Sequence, residues 1–94
     1  MNKLLPINIL SILTKIYNKD KVLLSIKRYI ESLQLGYKII VKESSIELLD
    51  TIDYDYVTLY TIQLIKNDKG TYDIIEKDNR ELIEINALLG HCLS

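Results

Sequence analysis

The stretch YVTLYTIQLIK, residues 56–66, decides the fold of this 94-residue chain. β-Branched and aromatic side chains fill it, and such residues favour the pleated surface of a sheet. NDKG follows and predicts a type I turn with Gly70 in the left-handed position, a common loop between antiparallel strands. TYDIIEK, residues 71–77, then predicts the returning strand. The sequence therefore indicates a β-hairpin in the second half of the chain.

Two further segments before this hairpin can join the same sheet. YKIIVKE, residues 37–43, alternates apolar and polar side chains and predicts a strand. SSIELLDTID, residues 44–53, fits either a helix with Ser44 and Glu47 as a capping box or a strand with alternating side chains. We favour the strand because it accounts for more residues and needs only a tight turn at ESS. Short turns between successive strands favour a three- or four-stranded antiparallel meander.

Two helices are expected before the strands. After Pro6, a residue that a first helical turn tolerates, the apolar residues up to Tyr17 fall within an arc of about 160°. A second helix is expected to begin with Asp20 as its N-cap and to end at Gly36 in the left-handed position. The break between the two helices is short, which predicts an antiparallel helix hairpin.

The chain is expected to end in a third helix. Asp78, followed three residues later by Glu81, resembles a helix start, and NRELIEINALLG, residues 79–90, has helical apolar spacing. We therefore expect a single α+β domain over residues 1–94. Its parts are an N-terminal antiparallel helix hairpin, a three- or four-stranded antiparallel meander and a C-terminal helix.

The residue inventory argues against catalysis. His91 and Cys92 are the only histidine and cysteine, and adjacent residues near a chain end are poorly placed to form a dyad or a zinc site. The three glycines are scattered, so no phosphate-binding loop exists. We expect a non-enzymatic protein without a cofactor or metal. No apolar run approaches the ~18 residues of a membrane span, and we expect a cytoplasmic location, in the host cytoplasm if the protein is viral.

The segment DTIDYDY, residues 50–56, is the candidate binding site. It lacks the glycine and distal glutamate of a calcium loop, so a metal site is disfavoured. A solvated turn remains an open interpretation. The other is a protein-binding surface, because tyrosines supply contact area at low entropic cost and carboxylates suit a basic partner. The candidate partner-binding residues are Asp50, Asp53, Tyr54, Asp55 and Tyr56.

Charge is distributed unevenly along the chain. Residues 1–42 carry eight Lys/Arg against two Asp/Glu, a net of +6, whereas residues 43–94 carry four against eleven, a net of −7. Either the two halves pair with each other within the fold, or the acidic half meets a basic protein partner. Separately, the wide apolar arc of the first helix predicts a homodimer or a tightly bound partner. The residues expected at that interface are Ile9, Ile12, Leu13 and Ile16.

These observations favour a small protein–protein interaction module. Ile and Leu supply 16 residues each, and Phe and Trp are absent, a composition that suggests an AT-rich genome. One concrete form is a viral or mobile-element inhibitor or adaptor with an anti-defence role, covering a nucleic-acid-binding site of a host protein by acidic mimicry. The alternative is a DNA-binding regulator that uses the basic N-terminal helix hairpin. Nucleic acid is the less favoured partner because the pI is about 5.8.

Overall fold

The computed structural model describes residues 4–52 and 54–80. It confirms an α+β chain with two N-terminal helices followed by a four-stranded antiparallel meander, in the order β1-β2-β3-β4. The predicted C-terminal helix falls on residues 79–90, and residues 81–94 lie outside the described part of the chain. The elements are α1 Ile7–Leu13, α2 Lys19–Ser32, β1 Lys38–Val41, β2 Ser45–Ile52, β3 Asp55–Lys66 and β4 Tyr72–Asp78.

One face of the sheet forms the core with α2. Apolar side chains recur at helical spacing in α2 and at every second position in the strands, so each element turns one side inward. The alternate strand residues point to the opposite face, called the open face below, where Gln63 and Ile75 are exposed. The buried cluster consists of Leu5, Leu13, Val22, Leu23, Ile26, Ile30, Ile46, Leu48, Tyr60, Ile62 and Leu64.

The ambiguous segment forms a strand, as favoured: β2 covers Ser45–Ile52, and Asp53 lies outside the described residues. The backbone N–H of Lys42 donates to the carbonyl of Ser45 at 2.8 Å, which closes the tight turn from β1. Val41 then lies opposite Ile46, and the register continues to Lys38 opposite Leu49. Strand geometry buries Ile46 and Leu48 on the core face. The capping box at Ser44 loses because a helix would give up two ladders of sheet hydrogen bonds.

The turn between β3 and β4 has the predicted structure. Gly70 has φ +85° and donates its N–H to the carbonyl of Asn67. The side-chain oxygen of Asn67 accepts the N–H of Lys69 at 3.0 Å, as asparagine often does at the start of a turn. The ring of Tyr17 lies 3.6 Å from the place where a Cβ on Gly70 would stand. The turn therefore needs glycine for its backbone, and it packs against the loop after α1.

The first helix is shorter than the apolar spacing predicts. It ends at Leu13 rather than near Tyr17. The hydroxyl of Thr14 donates to the carbonyl of Leu10, and the N–H groups of Lys15 and Ile16 bond three residues back instead of four. Such side-chain bonding and a tightened last turn end a helix locally, whatever the apolar pattern beyond it.

Both predicted ends of the second helix are wrong by two residues. The N-cap is Asn18, whose Oδ1 accepts the N–H of Lys21 at 3.1 Å, and Asp20 lies in the first turn, where a carboxylate complements the helix dipole. The C-cap is Leu33, and the left-handed residue after it is Gln34 with φ 51°. Gly36 also has a positive φ, of 79°, but it lies in the loop that leads to β1.

A β-bulge separates the sheet into two parts. Leu48 lies opposite Tyr60 and Leu49 lies opposite Thr58, so Leu59 is an extra residue in β3. The bulge buries the consecutive residues Leu59 and Tyr60, which regular alternation would place on opposite faces. A bulge also bends its strand and increases its twist. The segment of β2 and β3 beyond it is therefore turned relative to the four-stranded body.

Candidate functional site

A two-stranded arm projects from one end of the sheet. Strand β1 reaches only as far as the pair Lys38 and Leu49, and β4 only as far as the pair Tyr60 and Asp78. Among the described residues, 50–52 and 55–57 therefore pair only with each other, through Asp50 opposite Val57 and Ile52 opposite Asp55. At about 3.3 Å per residue, this arm extends roughly 10 Å past the neighbouring strands. The described residues of the candidate segment DTIDYDY, 50–52 and 54–56, thus lie on this protruding arm.

Tyr54 occupies the tip of the arm in an unfavourable backbone conformation. Its φ is 71°, in the left-handed region that costs a non-glycine residue about 1–2 kcal/mol. Its side chain is 100% exposed, so no contact with the described residues compensates for this cost. Glycine or asparagine would adopt the same turn more easily. The structure therefore holds an aromatic side chain in solvent at a position where folding alone favours a smaller residue.

The described candidate residues are divided between two faces of the arm. Directly opposite residues share a face, so Asp50 and Asp55 lie on the side that continues the core face. Tyr56 lies opposite Thr51 and points to the open face. Tyr54 is at the end between them. Asp53 lies outside the described residues. The arm therefore offers carboxylates on one side, a tyrosine on the other and a tyrosine at its tip.

Tyr56 is 59% exposed and already has a cationic neighbour. The ammonium of Lys38 lies 4.6 Å from the centroid of its ring, a cation–π contact between β1 and the arm. This contact fixes the ring at the base of the arm on the open face.

The residues predicted as an oligomer interface occupy different environments. Leu13 is 2% exposed and belongs to the core of its own chain. Ile9 and Ile16 are partly buried and pack against that core. Ile12 is 60% exposed, and Ile7, the first residue of α1, is also exposed. The wide apolar arc of the first helix is thus largely occupied within the chain, and Ile12 is the predicted residue left on the surface.

A buried polar cluster lies on the core face at the other side of the bulge. The hydroxyl of Tyr60 donates to Oε1 of Glu76 at 2.7 Å. The same carboxylate oxygen accepts the backbone N–H of Leu4 at 2.9 Å and of Leu5 at 3.0 Å. The N–H of Leu4 also lies 3.0 Å from the Tyr60 oxygen. Glu76 thereby attaches the segment before α1 to β3 and β4.

Burial and the hydrogen bonds of this cluster keep the phenol of Tyr60 protonated. Burial, reinforced by the hydrogen bond to Glu76, raises the pKa of Tyr60 to about 12. A phenol with such a pKa stays protonated at neutral pH and is neither a base nor a nucleophile. Three donors converge on Oε1 of Glu76, so that oxygen is occupied as well. The three hydrogen bonds to Oε1 hold the phenol, the carboxylate and the two backbone N–H groups in place.

An ion pair of Asp78 and Arg80 stands next to this cluster. The guanidinium of Arg80 donates to both carboxylate oxygens of Asp78, with Nε at 2.9 Å and 3.1 Å. These bonds lower the pKa of Asp78 to about 2, so the carboxylate is ionised across the physiological range. They also raise the pKa of Arg80 above its usual value. An adjoining cavity of about 230 Å³ is lined by Leu4, Leu35, Tyr37, Leu48, Leu59, Tyr60 and Arg80.

Sequence reasoning missed the polar cluster. The available signal was Glu76 itself, which shares the inward parity of Tyr72 and Ile74 in an otherwise alternating strand. A carboxylate at a core position requires donors. Its donors, the N–H groups of Leu4 and Leu5, are 72 and 71 residues away in the chain, and no local pattern identifies them.

Several kinds of site can be assessed in the described part of the chain. Residues 4–52 and 54–80 contain no group of three or more His, Cys, Asp or Glu side chains placed to hold a metal ion. Within the same residues, no helix is both long and apolar enough to cross a membrane. His91 and Cys92 lie outside the described residues. No protein-family model, curated protein or solved structure matches the chain.

Proposed function

We propose that this chain is a non-enzymatic protein-interaction module whose arm, residues 50–57, binds a basic surface of another protein. The observation that carries the proposal is Tyr54, fully exposed at the arm's tip in a left-handed conformation. Residues held in sparsely populated backbone conformations are concentrated at active sites, ligand clamps and switch regions. A rigid aromatic side chain at a protruding tip is a typical anchor residue.

The carboxylates on the arm favour a partner whose surface is positively charged. Asp50 and Asp55 are both exposed and lie on one face of the arm. Tyr56 adds an aromatic ring that already attracts the ammonium of Lys38. A partner rich in lysine and arginine would meet charge on one side and aromatic surface on the other. Charge of this kind accelerates association, whereas the buried aromatic slows dissociation.

The proposal includes a concrete biological form. The protein would act as a viral or mobile-element inhibitor or adaptor that covers the nucleic-acid-binding surface of a host protein. Three properties support this form: the small size, the net charge of −7 over residues 43–94 and an amino-acid composition that suggests an AT-rich genome. Such an inhibitor competes with nucleic acid for one surface of its target. The captured partner should therefore bind an oligonucleotide when free, and this chain should displace that oligonucleotide.

The test begins with capture of partners from a lysate by the wild-type chain and by a Tyr54→Gly variant. Glycine adopts a φ of 71° without strain, so this variant keeps or gains stability and a loss of capture reports on binding. Kinetics on the captured partner should show dissociation faster by about tenfold or more for Tyr54→Gly. Asp50→Asn with Asp55→Asn should mainly slow association, and less so at high salt.

The matched control is Asp68→Asn, an exposed carboxylate in the turn at the opposite end of β3. It removes one negative charge without touching the arm, so it should leave both rates close to those of the wild type. Unchanged rates for Tyr54→Gly and for the double Asn variant, at low and high salt, would show that the arm is only a solvated hairpin. In that case the protein-binding proposal fails.

The alternative, a DNA-binding regulator, uses α1 and α2 as an antiparallel basic hairpin. Of the eight cations in residues 1–42, Lys38 and Lys42 lie outside these two helices and have intramolecular contacts. Lys42 pairs with Glu47 at 2.7 Å, and Lys38 lies over Tyr56. Fluorescence polarisation with generic duplex DNA at low salt separates the two proposals, since only the alternative expects binding that falls steeply with salt.

A further inference from the structure

Strand β4 is the last strand of the sheet, and half of its backbone N–H and C=O groups point away from β3. The N–H of Asn67 donates to Thr71 at one end of the β3–β4 ladder, and the N–H of Asn79 donates to Leu59 at the other. Because hydrogen-bonded pairs alternate in antiparallel sheets, the odd-numbered residues 73, 75 and 77 bond to β3. The even-numbered residues 72, 74, 76 and 78 therefore point their N–H and C=O groups outward.

These outward groups have no backbone partner among the described residues. A seven-residue strand with a free row of donors and acceptors is a template for pairing with another strand. Proteins usually protect such edges with charges, and β4 carries Asp73 and Lys77 on its open face. The arrangement of those two charges indicates a second copy of the same strand as the partner.

The sequence of β4 is complementary to itself when it is reversed. In an antiparallel pair centred on Ile75, Asp73 of one copy lies opposite Lys77 of the other, and the reverse pair repeats across the two-fold axis. The same register places Ile74 opposite Glu76 and Tyr72 opposite Asp78. All four of these residues have outward backbone groups, so every one meets a hydrogen-bonding position. The two Ile75 side chains face each other in the closer, non-hydrogen-bonded type of pair.

Neighbouring registers lose this match. Centring the pair on Glu76 places that carboxylate opposite its own copy, and Lys77 then faces Ile75. Centring it on Ile74 places Asp73 opposite Ile75 and Lys77 opposite Thr71, so neither charged residue faces an opposite charge. Odd shifts put outward groups opposite inward ones and break the ladder. Among the registers that preserve hydrogen bonding, centring on Ile75 is thus selected by charge.

We propose that two copies of this chain pair through β4 in this register and form a continuous eight-stranded sheet. Ile75, 48% exposed in the single chain, is covered by its counterpart, and the nearby exposed Ile65 shares that face. The arms project from β2 and β3 of each copy, away from the paired β4 strands, so both arms remain exposed in the dimer. This assembly does not depend on what the arm binds.

The decisive experiment is a charge exchange followed by sedimentation equilibrium over a wide concentration range. Wild-type chain should dimerise. Asp73→Lys places two lysines opposite each other across the axis, and Lys77→Asp places two aspartates opposite each other. Each single variant should weaken the dimer by about tenfold or more. An equimolar mixture of the two variants should recover wild-type association, because each then supplies the charge that the other lacks.

Control variants separate this pairing from general charge effects and from unfolding. Asp68→Lys and Lys69→Asp change the same charges in the adjacent turn and should leave dimerisation unchanged. Asp73 also accepts a hydrogen bond from Asn67 Nδ2 at 3.2 Å, so circular dichroism should show that Asp73→Lys remains folded. A wild-type monomer at high micromolar concentration would overturn the proposal. So would a dimer that neither charge reversal weakens, or a mixture that fails to recover.

Amide hydrogen exchange identifies what covers the edge. The N–H groups of Ile74 and Glu76 point outward, so their protection should rise with protein concentration as the dimer forms. The N–H of Ile75 bonds to β3 and should be protected at all concentrations. If the N–H groups of Ile74 and Glu76 are protected as strongly in dilute as in concentrated solution, the edge is covered by the chain itself. That result would overturn pairing between copies.

Discussion

At the scale of single residues, Tyr60 shows how one buried polar group organises distant parts of the chain. Its ring belongs to the core, and its hydroxyl reaches Glu76 and the N–H of Leu4. The segment before α1, strand β3 and strand β4 thus meet around one hydroxyl and one carboxylate. Neither group can be satisfied locally, so each depends on the folded state.

The raised pKa of Tyr60 predicts a specific alkaline instability. Because the pKa of Tyr60 in the folded chain is about 12 and that of a free tyrosine is about 10, the folded state holds this proton more tightly. The resulting stabilisation is complete below pH 10 and is lost as the pH rises towards 12. The loss is at most about 3 kcal/mol. Urea unfolding at several alkaline pH values measures it.

The control for that prediction is Tyr60→Phe. This variant removes the titrating hydroxyl and leaves the carboxylate of Glu76 with the two N–H donors of Leu4 and Leu5. It should be less stable than the wild type at neutral pH by roughly 1 kcal/mol. Between pH 10 and 12 its stability should fall less steeply than that of the wild type. Parallel pH profiles for the two proteins would contradict the assignment.

At the scale of elements, local patterns predicted what local chemistry determines. The hairpin at NDKG and the strand Ser45–Ile52 follow from side-chain alternation and turn residues, and both are present. The bulge at Leu59 was not predictable, because it depends on how the sheet fits around the core. The left-handed conformation of Tyr54 was not predictable either, because tyrosine rarely adopts a positive φ.

The C-terminal end of α2 gives a prediction about one element. Gln34 takes a left-handed φ of 51°, which Gly36 had been expected to provide. Its side chain is exposed, so the backbone cost has little visible compensation. We expect Gln34→Gly to raise the free energy of unfolding by roughly 0.5–1 kcal/mol. Thermal or urea unfolding measures this change.

A paired substitution checks the reason for that change. Ser32→Gly lies two residues earlier, at the last helical residue of α2, and should destabilise the chain because glycine loses more entropy on entering a helix. Opposite signs for the two glycine variants are expected. A loss of stability for Gln34→Gly would mean that the glutamine side chain makes a contact worth more than the strain of its backbone.

At the scale of the whole molecule, the fold separates the packed core from the arm. The core lies between α2 and one face of the sheet, and the polar cluster attaches the segment before α1 to its edge. The arm lies past the last pairs made by β1 and β4, and therefore outside this packing. Substitutions in the arm should consequently leave the free energy of unfolding nearly unchanged, and under the proposed function they alter binding. Substitutions in the cluster should lower the free energy of unfolding.

The same separation passes through α1 and yields the last prediction. Leu13 is 2% exposed and Ile12, its neighbour in sequence, is 60% exposed. Leu13→Ala removes buried methyl groups and leaves a cavity, so it should lower the free energy of unfolding by about 2–5 kcal/mol. Ile12→Ala should change it by no more than about 0.5 kcal/mol. A domain of this size has a total on the order of 5–14 kcal/mol, so Leu13→Ala removes a large share of it.

Urea unfolding of both variants, at low and high protein concentration, makes this comparison decisive for the first helix. If α1 serves only the core of its own chain, the cost of Leu13→Ala is the same at both concentrations and Ile12→Ala stays neutral. A dimer through α1 would make the effect of Ile12→Ala grow with concentration, because association adds to the stability of the folded state. Concentration dependence that is abolished by Ile12→Ala but not by Asp73→Lys would therefore place the contact between copies on α1 instead of β4.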